Sequence, residues 1–97
     1  MQLLARAATD REHNARIEQF EAAVDADTRL TPEQSGVLWQ AGLGVLDTGS
    51  FPDFDELEAM TGYDRQQLWR LVDELIAAGW VLPLPTEDRV EYRVVRP

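Results

Sequence analysis

The chain predicts a mainly α-helical fold closed by a small β-hairpin, and three observations carry that prediction. After Asp64, apolar residues recur as Leu68, Leu71, Val72, Leu75 and Ile76, the i, i+3, i+4, i+7, i+8 spacing of one helical stripe. Gly79 then stops the pattern, and Trp80-Val81 begin an extended run. That run turns around Thr86-Glu87-Asp88-Arg89 and returns with Val90, Tyr92 and Val94 alternating against Glu91 and Arg93, as in a half-buried strand. Upstream, Thr31-Pro32-Glu33-Gln34 combines a cap, a proline at the first helical position and a Thr-x-x-Gln box, a strong helix start.

In chain order, the first third reads as a helix. Thr9 and Glu12 make a Thr-x-x-Glu box that predicts an ordered start near Asp10, with Met1 to Ala8 either extending it or fraying. His13, Ile17, Phe20 and Val24 form a narrow seam suited to one partner helix. That partner is either the first core helix of the same domain or a second chain. Residues 25–30 read as a linker. The helix from Pro32 to about Leu46 is apolar on two sides, with Leu38, Ala41 and Val45 in one row and Trp39, Leu43 and Leu46 in another. One row is expected to face the core and the other the N-terminal helix or a subunit partner. This makes Ile17, Phe20, Val24, Trp39 and Leu43 the candidate dimer or partner interface. Gly36, Gly42 and Gly44 each lower helix propensity by roughly 1 kcal/mol against Ala, which close helix approach would explain.

Asp47-Thr48-Gly49-Ser50 reads as a turn. Asp53-x-x-Glu56 caps a short helix through Met60, with Phe54, Leu57 and Met60 expected to point inward. Thr61-Gly62-Tyr63 then forms the turn of a helix-turn-helix. Asp64 and Gln67 cap the next helix, with Tyr63 and Leu68 placed for a hydrophobic staple.

Composition narrows the function classes. Ninety-seven residues make one domain with a single modest core. There is no cysteine, so neither disulfides nor thiolate metal sites are available, and a single histidine excludes a histidine-based metal cluster. No apolar run in MQLLARAATDREH is long enough for a signal peptide or membrane span, so a cytoplasmic protein is expected. No Ser/His/Asp or Cys/His set, phosphate-cradling loop or carboxylate dyad is present, so neither catalysis nor a cofactor is expected. The formal net charge is −9, and its distribution is uneven. Residues 1–30 hold four Arg and six acids, residues 31–60 six acids and no base, and residues 61–97 five Arg and six acids.

The run LWRLVDELIAAGWV, preceded by two predicted helices and followed by a hairpin, resembles the winged helix-turn-helix domain of bacterial and archaeal transcription regulators. The resemblance is to the multiple-antibiotic-resistance and arsenic-repressor-like families in particular, over about residues 31–95. The resemblance implies an N-terminal helix (1–30) ahead of a winged-helix domain (31–97). It further implies a dimer on double-stranded DNA, with helix 64–78 in the major groove and wing 82–92 at the minor groove or backbone. In those families an arginine at the wing tip commonly enters the minor groove, which points to Arg89, with Arg93 following on the returning strand.

The residues themselves suit that task. Gln bridges adenine N6/N7 and Arg pairs with guanine O6/N7, each good pair discriminating by about 1–3 kcal/mol. Arg65, Gln66, Gln67 and Arg70 are therefore the candidate reading head. The alternative for Arg70 is a surface ion pair with Asp73 at i+3 or Glu74 at i+4. Two features depart from the family pattern: Glu87 and Asp88 crowd the tip, and the reading helix lacks small hydroxyl residues at its start. Trp39, Trp69 and Trp80 are expected to pack in or beside the core, with Trp69 under the wing, and His13 to be solvated. Asp53, Asp55, Glu56 and Glu58 form either a solvated face or a docking surface for a basic partner.

Two functions follow. The first is a small dimeric DNA-binding transcriptional regulator. The second is an acidic winged-helix protein-interaction module without DNA binding, such as a complex subunit or a phage- or plasmid-encoded inhibitor.

Overall fold

The computed structural model describes residues 2–97, with side chains from residue 11 onward. Its elements run α1 (Gln2–Ala26), α2 (Pro32–Thr48), α3 (Phe54–Thr61), α4 (Arg65–Ala77), β1 (Val81–Pro85) and β2 (Val90–Val94). The expected class forms: helices, then one two-stranded antiparallel sheet.

Three helix starts follow their local caps. Thr31 Oγ1 accepts from the Gln34 N–H at 3.2 Å while Gln34 Oε1 accepts from the Thr31 N–H at 3.0 Å, closing the predicted box. Asp53 accepts from the Glu56 N–H and Asp64 from the Gln67 N–H, each at 2.8 Å. At α4 only half of the box closes, and the Gln67 amide donates to Glu33 at 3.2 Å. In α1 the segment ahead of Asp10 extends the helix, the first of the two expected alternatives. Its backbone is helical from Gln2, so Thr9 lies inside the helix; Ala, Leu and Arg before it are strong helix formers that outweigh a cap motif. Met1, placed by the sequence in this segment, lies outside the described residues.

Helix ends follow geometry as much as pattern. α2 continues two residues past Leu46 before Gly49 stops it. At the end of α4, the Trp80 N–H reaches Leu75 O at 3.0 Å and the Gly79 N–H reaches Ile76 O at 3.1 Å. These two bonds make a Schellman motif, which needs Gly79 at φ 86°, where a side chain would be strained.

α2 lies at the centre, touching α1, α3, α4 and β2. Its Val37 and Leu38 meet Leu57 of α3 and the α4 stripe Leu68, Leu71, Val72 and Leu75, all essentially sealed from solvent. α1 runs antiparallel to α2: His13 bonds Asp47 at 3.0 Å at one end, and Val24 enters the core at the other. His13 is thus paired rather than merely solvated. Phe20 sits over Gly42, where an added Cβ would collide with Phe20 Cζ, and meets Trp80 edge-on at 6.3 Å between centroids.

These contacts decide between some expectations and correct others. Of the expected interface residues, Val24 is buried in the chain's own core and Phe20 packs against it, one of the two alternatives for that seam, while Ile17 and Leu43 are half-buried and Trp39 is exposed. Close approach by a helix accounts for Gly42; at Gly44 the crowding atom belongs to Pro52, and Gly36 has nothing within 4 Å. Trp80 alone of the three tryptophans is buried, whereas Trp39 is 38% and Trp69 45% exposed. Met60 points outward too, since Leu57 takes the core position of so short a helix.

The hairpin pairs Val81 with Val94 through to Pro85 with Val90. Its tip closes where the Thr86 N–H and Oγ1 both donate to Arg89 O, at 2.7 and 2.8 Å. Among the described residues, no helix is long and apolar enough to cross a membrane.

Candidate functional site

Burial of Leu68, Leu71, Val72 and Leu75 fixes the rotation of α4 about its axis. Arg65, Gln66, Trp69, Arg70 and Asp73 are left on its exposed side. The three-residue turn Gly62-Tyr63-Asp64 sets α3 beside the start of this helix. Its acids thereby come within reach of the first turn.

That proximity decides the state of the candidate reading head. Arg65 Nε donates to Glu58 Oε1 at 2.7 Å, its Nη2 donates to Asp55, and its guanidinium lies 5.7 Å from the centre of the Phe54 ring. The Glu58 bond, ahead of the contribution from Asp55, raises the Arg65 pKa further above its ordinary value. Glu33, at the start of α2, accepts from Gln67 at 3.2 Å and lies 3.7 Å from Arg70 Nη2. Arg70 is thus paired across helices rather than with Asp73 or Glu74 of its own. On the hairpin, Arg89 is held by Glu91 at 3.2 Å, not by the tip acids Glu87 and Asp88.

Of the six predicted contact residues, Arg65, Gln67, Arg70 and Arg89 therefore already engage carboxylates of this chain. Gln66 and Arg93 are exposed and make no side-chain hydrogen bond or ion pair among the described residues. Exposed pairs of this kind contribute little to stability, so they do not lock the arginines. Their consequence is electrostatic. Asp55, Glu58, Glu33 and Glu91 meet the guanidiniums of Arg65, Arg70 and Arg89, and exposed Asp73, Glu87 and Asp88 lie close to Arg70 and Arg89 in sequence, so acids outnumber bases among these residues.

Beside this face lies a feature the sequence reading missed. A cleft of about 980 Å³ opens between the hairpin, the 49–53 connection and α3. Aromatic rings run along it: Phe51 to Tyr92 at 5.4 Å, Tyr92 to Phe54 at 6.2 Å, and Phe54 to Trp69 at 4.5 Å between centroids. Trp69 thus reaches Tyr92 through Phe54 rather than directly. Partial burial, with the charge of Asp73 as a smaller contribution, raises the Tyr92 phenol pKa. Phe51 and Phe54, bracketing a Pro-Asp helix start, were the available signal. Only the fold brings Tyr92 between them.

Among the described residues no cluster of three or more His, Cys, Asp or Glu side chains is arranged to hold a metal ion. Comparison with protein-family models, curated proteins and solved structures gave no match to this chain.

Proposed function

We propose that this chain is an acidic winged-helix protein-interaction module, using the exposed side of α4 and the hairpin to bind another protein instead of DNA. The observation that carries the reading is the engagement of Arg65 by Glu58 and Asp55, with Gln67 and Arg70 on Glu33. Duplex binding draws much of its free energy from neutralising phosphates. A face on which carboxylates outnumber guanidiniums repels the backbone before any base edge is reached. The exposed Trp69 supplies apolar area of the kind that anchors protein interfaces.

A photo-crosslinking residue placed at Gln66, with the protein expressed in its own host, tests this directly. A discrete protein adduct is expected. A nucleic-acid adduct would overturn the reading, as would a low-salt duplex shift that disappears in Arg65→Ala, Arg70→Ala.

The second reading is a DNA-binding transcriptional regulator. It is favoured by the helix–turn–helix order of α3 and α4, with Gln66 exposed on α4 and Arg93 exposed without an ion partner among the described residues. The same crosslink decides between the two.

A further inference from the structure

The two edges of the hairpin are chemically different. The bonds from Thr86 N–H to Arg89 O and from Val95 N–H to Trp80 O identify hydrogen-bonded pairs at both ends of the ladder. Bonded and non-bonded pairs alternate in an antiparallel ladder. With the observed register, 82–93 and 84–91 are therefore bonded pairs as well, while residues 81, 83, 85 and 90, 92, 94 turn their backbone groups outward. On β1, two of those outward positions are Pro83 and Pro85, which have no N–H to offer. On β2 they are Val90, Tyr92 and Val94, each with a donor and an acceptor. Among the described residues, no backbone hydrogen bond from residues 49–53 reaches them, and the sheet ends at β2. The cleft runs along this edge, lined by residues of β2 from both of its faces. One edge is blunted and the other is open.

The sequence of the open strand, Val90-Glu91-Tyr92-Arg93-Val94, identifies an occupant. Laid antiparallel against a second copy of itself about Tyr92, it sets Val90 opposite Val94, and Glu91 of each copy opposite Arg93 of the other. Outward-bonding residues must meet outward-bonding residues, so permitted registers differ by two positions. A slip to either neighbouring register sets Glu91 against Glu91 or Arg93 against Arg93, which is repulsive. In the register about Tyr92, the opposite charges fall in non-bonded pairs, where side chains come closest.

We propose that β2 is a self-association edge: two copies pair through it into a four-stranded sheet, β1–β2–β2–β1. Val90, 47% exposed in the single chain, is covered by Val94 of the second copy. The outer edges of that sheet are the proline-bearing β1 strands, so the assembly closes at two rather than growing into a fibre. The surface is separate from the Ile17, Trp39 and Leu43 side; it takes the β2 edge of the cleft and leaves the exposed side of α4 to the partner proposed above, whose identity it does not rest on.

Sedimentation equilibrium on the full chain tests it through charge exchange. The unaltered protein is expected to dimerise. Glu91→Arg and Arg93→Glu, each alone, place like charges opposite one another and should weaken the dimer roughly tenfold to hundredfold. An equimolar mixture of the two variants should restore it as a heterodimer, an outcome that a merely misfolded hairpin would not give. Unchanged circular dichroism verifies that each variant is folded. A monomeric parent protein overturns the proposal. So does a dimer insensitive to both substitutions, or a mixture that stays monomeric.

Discussion

The indole N–H of Trp80 donates to Asp27 Oδ2 across 2.7 Å, tying the residue after α1 to the residue before the hairpin, 53 positions apart in the chain. Arg29 grips the same carboxylate with Nε at 2.9 Å and Nη2 at 2.7 Å, and also reaches Ala78 O at 3.2 Å. One acid thus fastens the N-terminal helix to the end of α4. The Arg29 bond first, and the Trp80 bond second, hold its pKa far below the usual carboxylate range.

A lowered folded-state pKa stabilises the protein above the unfolded value and is lost as pH falls through the folded one. Asp27→Asn should therefore lower the denaturant midpoint at neutral pH, with the gap to the parent protein closing progressively below about pH 4. Urea titrations of both proteins at several pH values measure this. A gap that stays constant down to strong acid would sink the claim.

Gly42 and Gly36 lie on the same helix and should respond oppositely to alanine. At Gly42 the new methyl collides with the Phe20 ring, which Trp80 holds edge-on. Overpacking of about 1–3 kcal/mol outweighs a helix-propensity gain of about 1 kcal/mol, so Gly42→Ala should lower the melting temperature. Gly36→Ala meets nothing within 4 Å and should raise it, by at most about 1 kcal/mol of stability. Thermal unfolding of the pair is a direct comparison, and melting shifts of the same sign would contradict it.

The tryptophans should separate as their surroundings do. Trp80 is buried, and Trp80→Ala is expected to cost about 3–5 kcal/mol. Trp69 is half in solvent with Phe54 as its aromatic partner, and Trp69→Ala should cost only about 0.5–1.5 kcal/mol. Chemical denaturation reads both. Equal losses would mean that Trp69 has a packing role its exposure does not reveal.

Salt should stabilise this protein. With a net charge of −9 and no base between residues 31 and 60, self-repulsion acts throughout, while the ion pairs at Arg65, Arg70 and Arg89 that salt also weakens are exposed. Raising sodium chloride from about 0.01 M to about 1 M shortens the Debye length from roughly 30 to 3 Å. The melting temperature should rise over that range; a fall would show that the ion pairs outweigh the repulsion.

Much of the fold was legible because helix starts are local. Thr31 with Gln34, Asp53 with Glu56, and Asp64 with Gln67 each act within one turn, and all three helices begin beside them. The α4 stripe was legible for the same reason: 3.6-residue periodicity needs no knowledge of the partner. The candidate site was read less well. Arg65, Arg70 and Arg89 were found as exposed cations, but the pairing of Arg65 with Glu58 depends on how α3 turns into α4, and that of Arg70 with Glu33 on how α2 crosses α4. Spacing within a single helix pointed instead to Asp73 and Glu74.

The sequence by itself determined where the helices cap, which stripe of α4 is apolar, where glycine stops it, and that the hairpin follows. Each of these is set by residues within a few positions of one another. Only the tertiary structure decided that Phe20 and Val24 belong to this chain's own core, that Trp69 stays in solvent, and that carboxylates from α2 and α3 meet the α4 arginines. Those outcomes depend on which helix faces cross, a consequence of packing the whole core at once that no local spacing encodes.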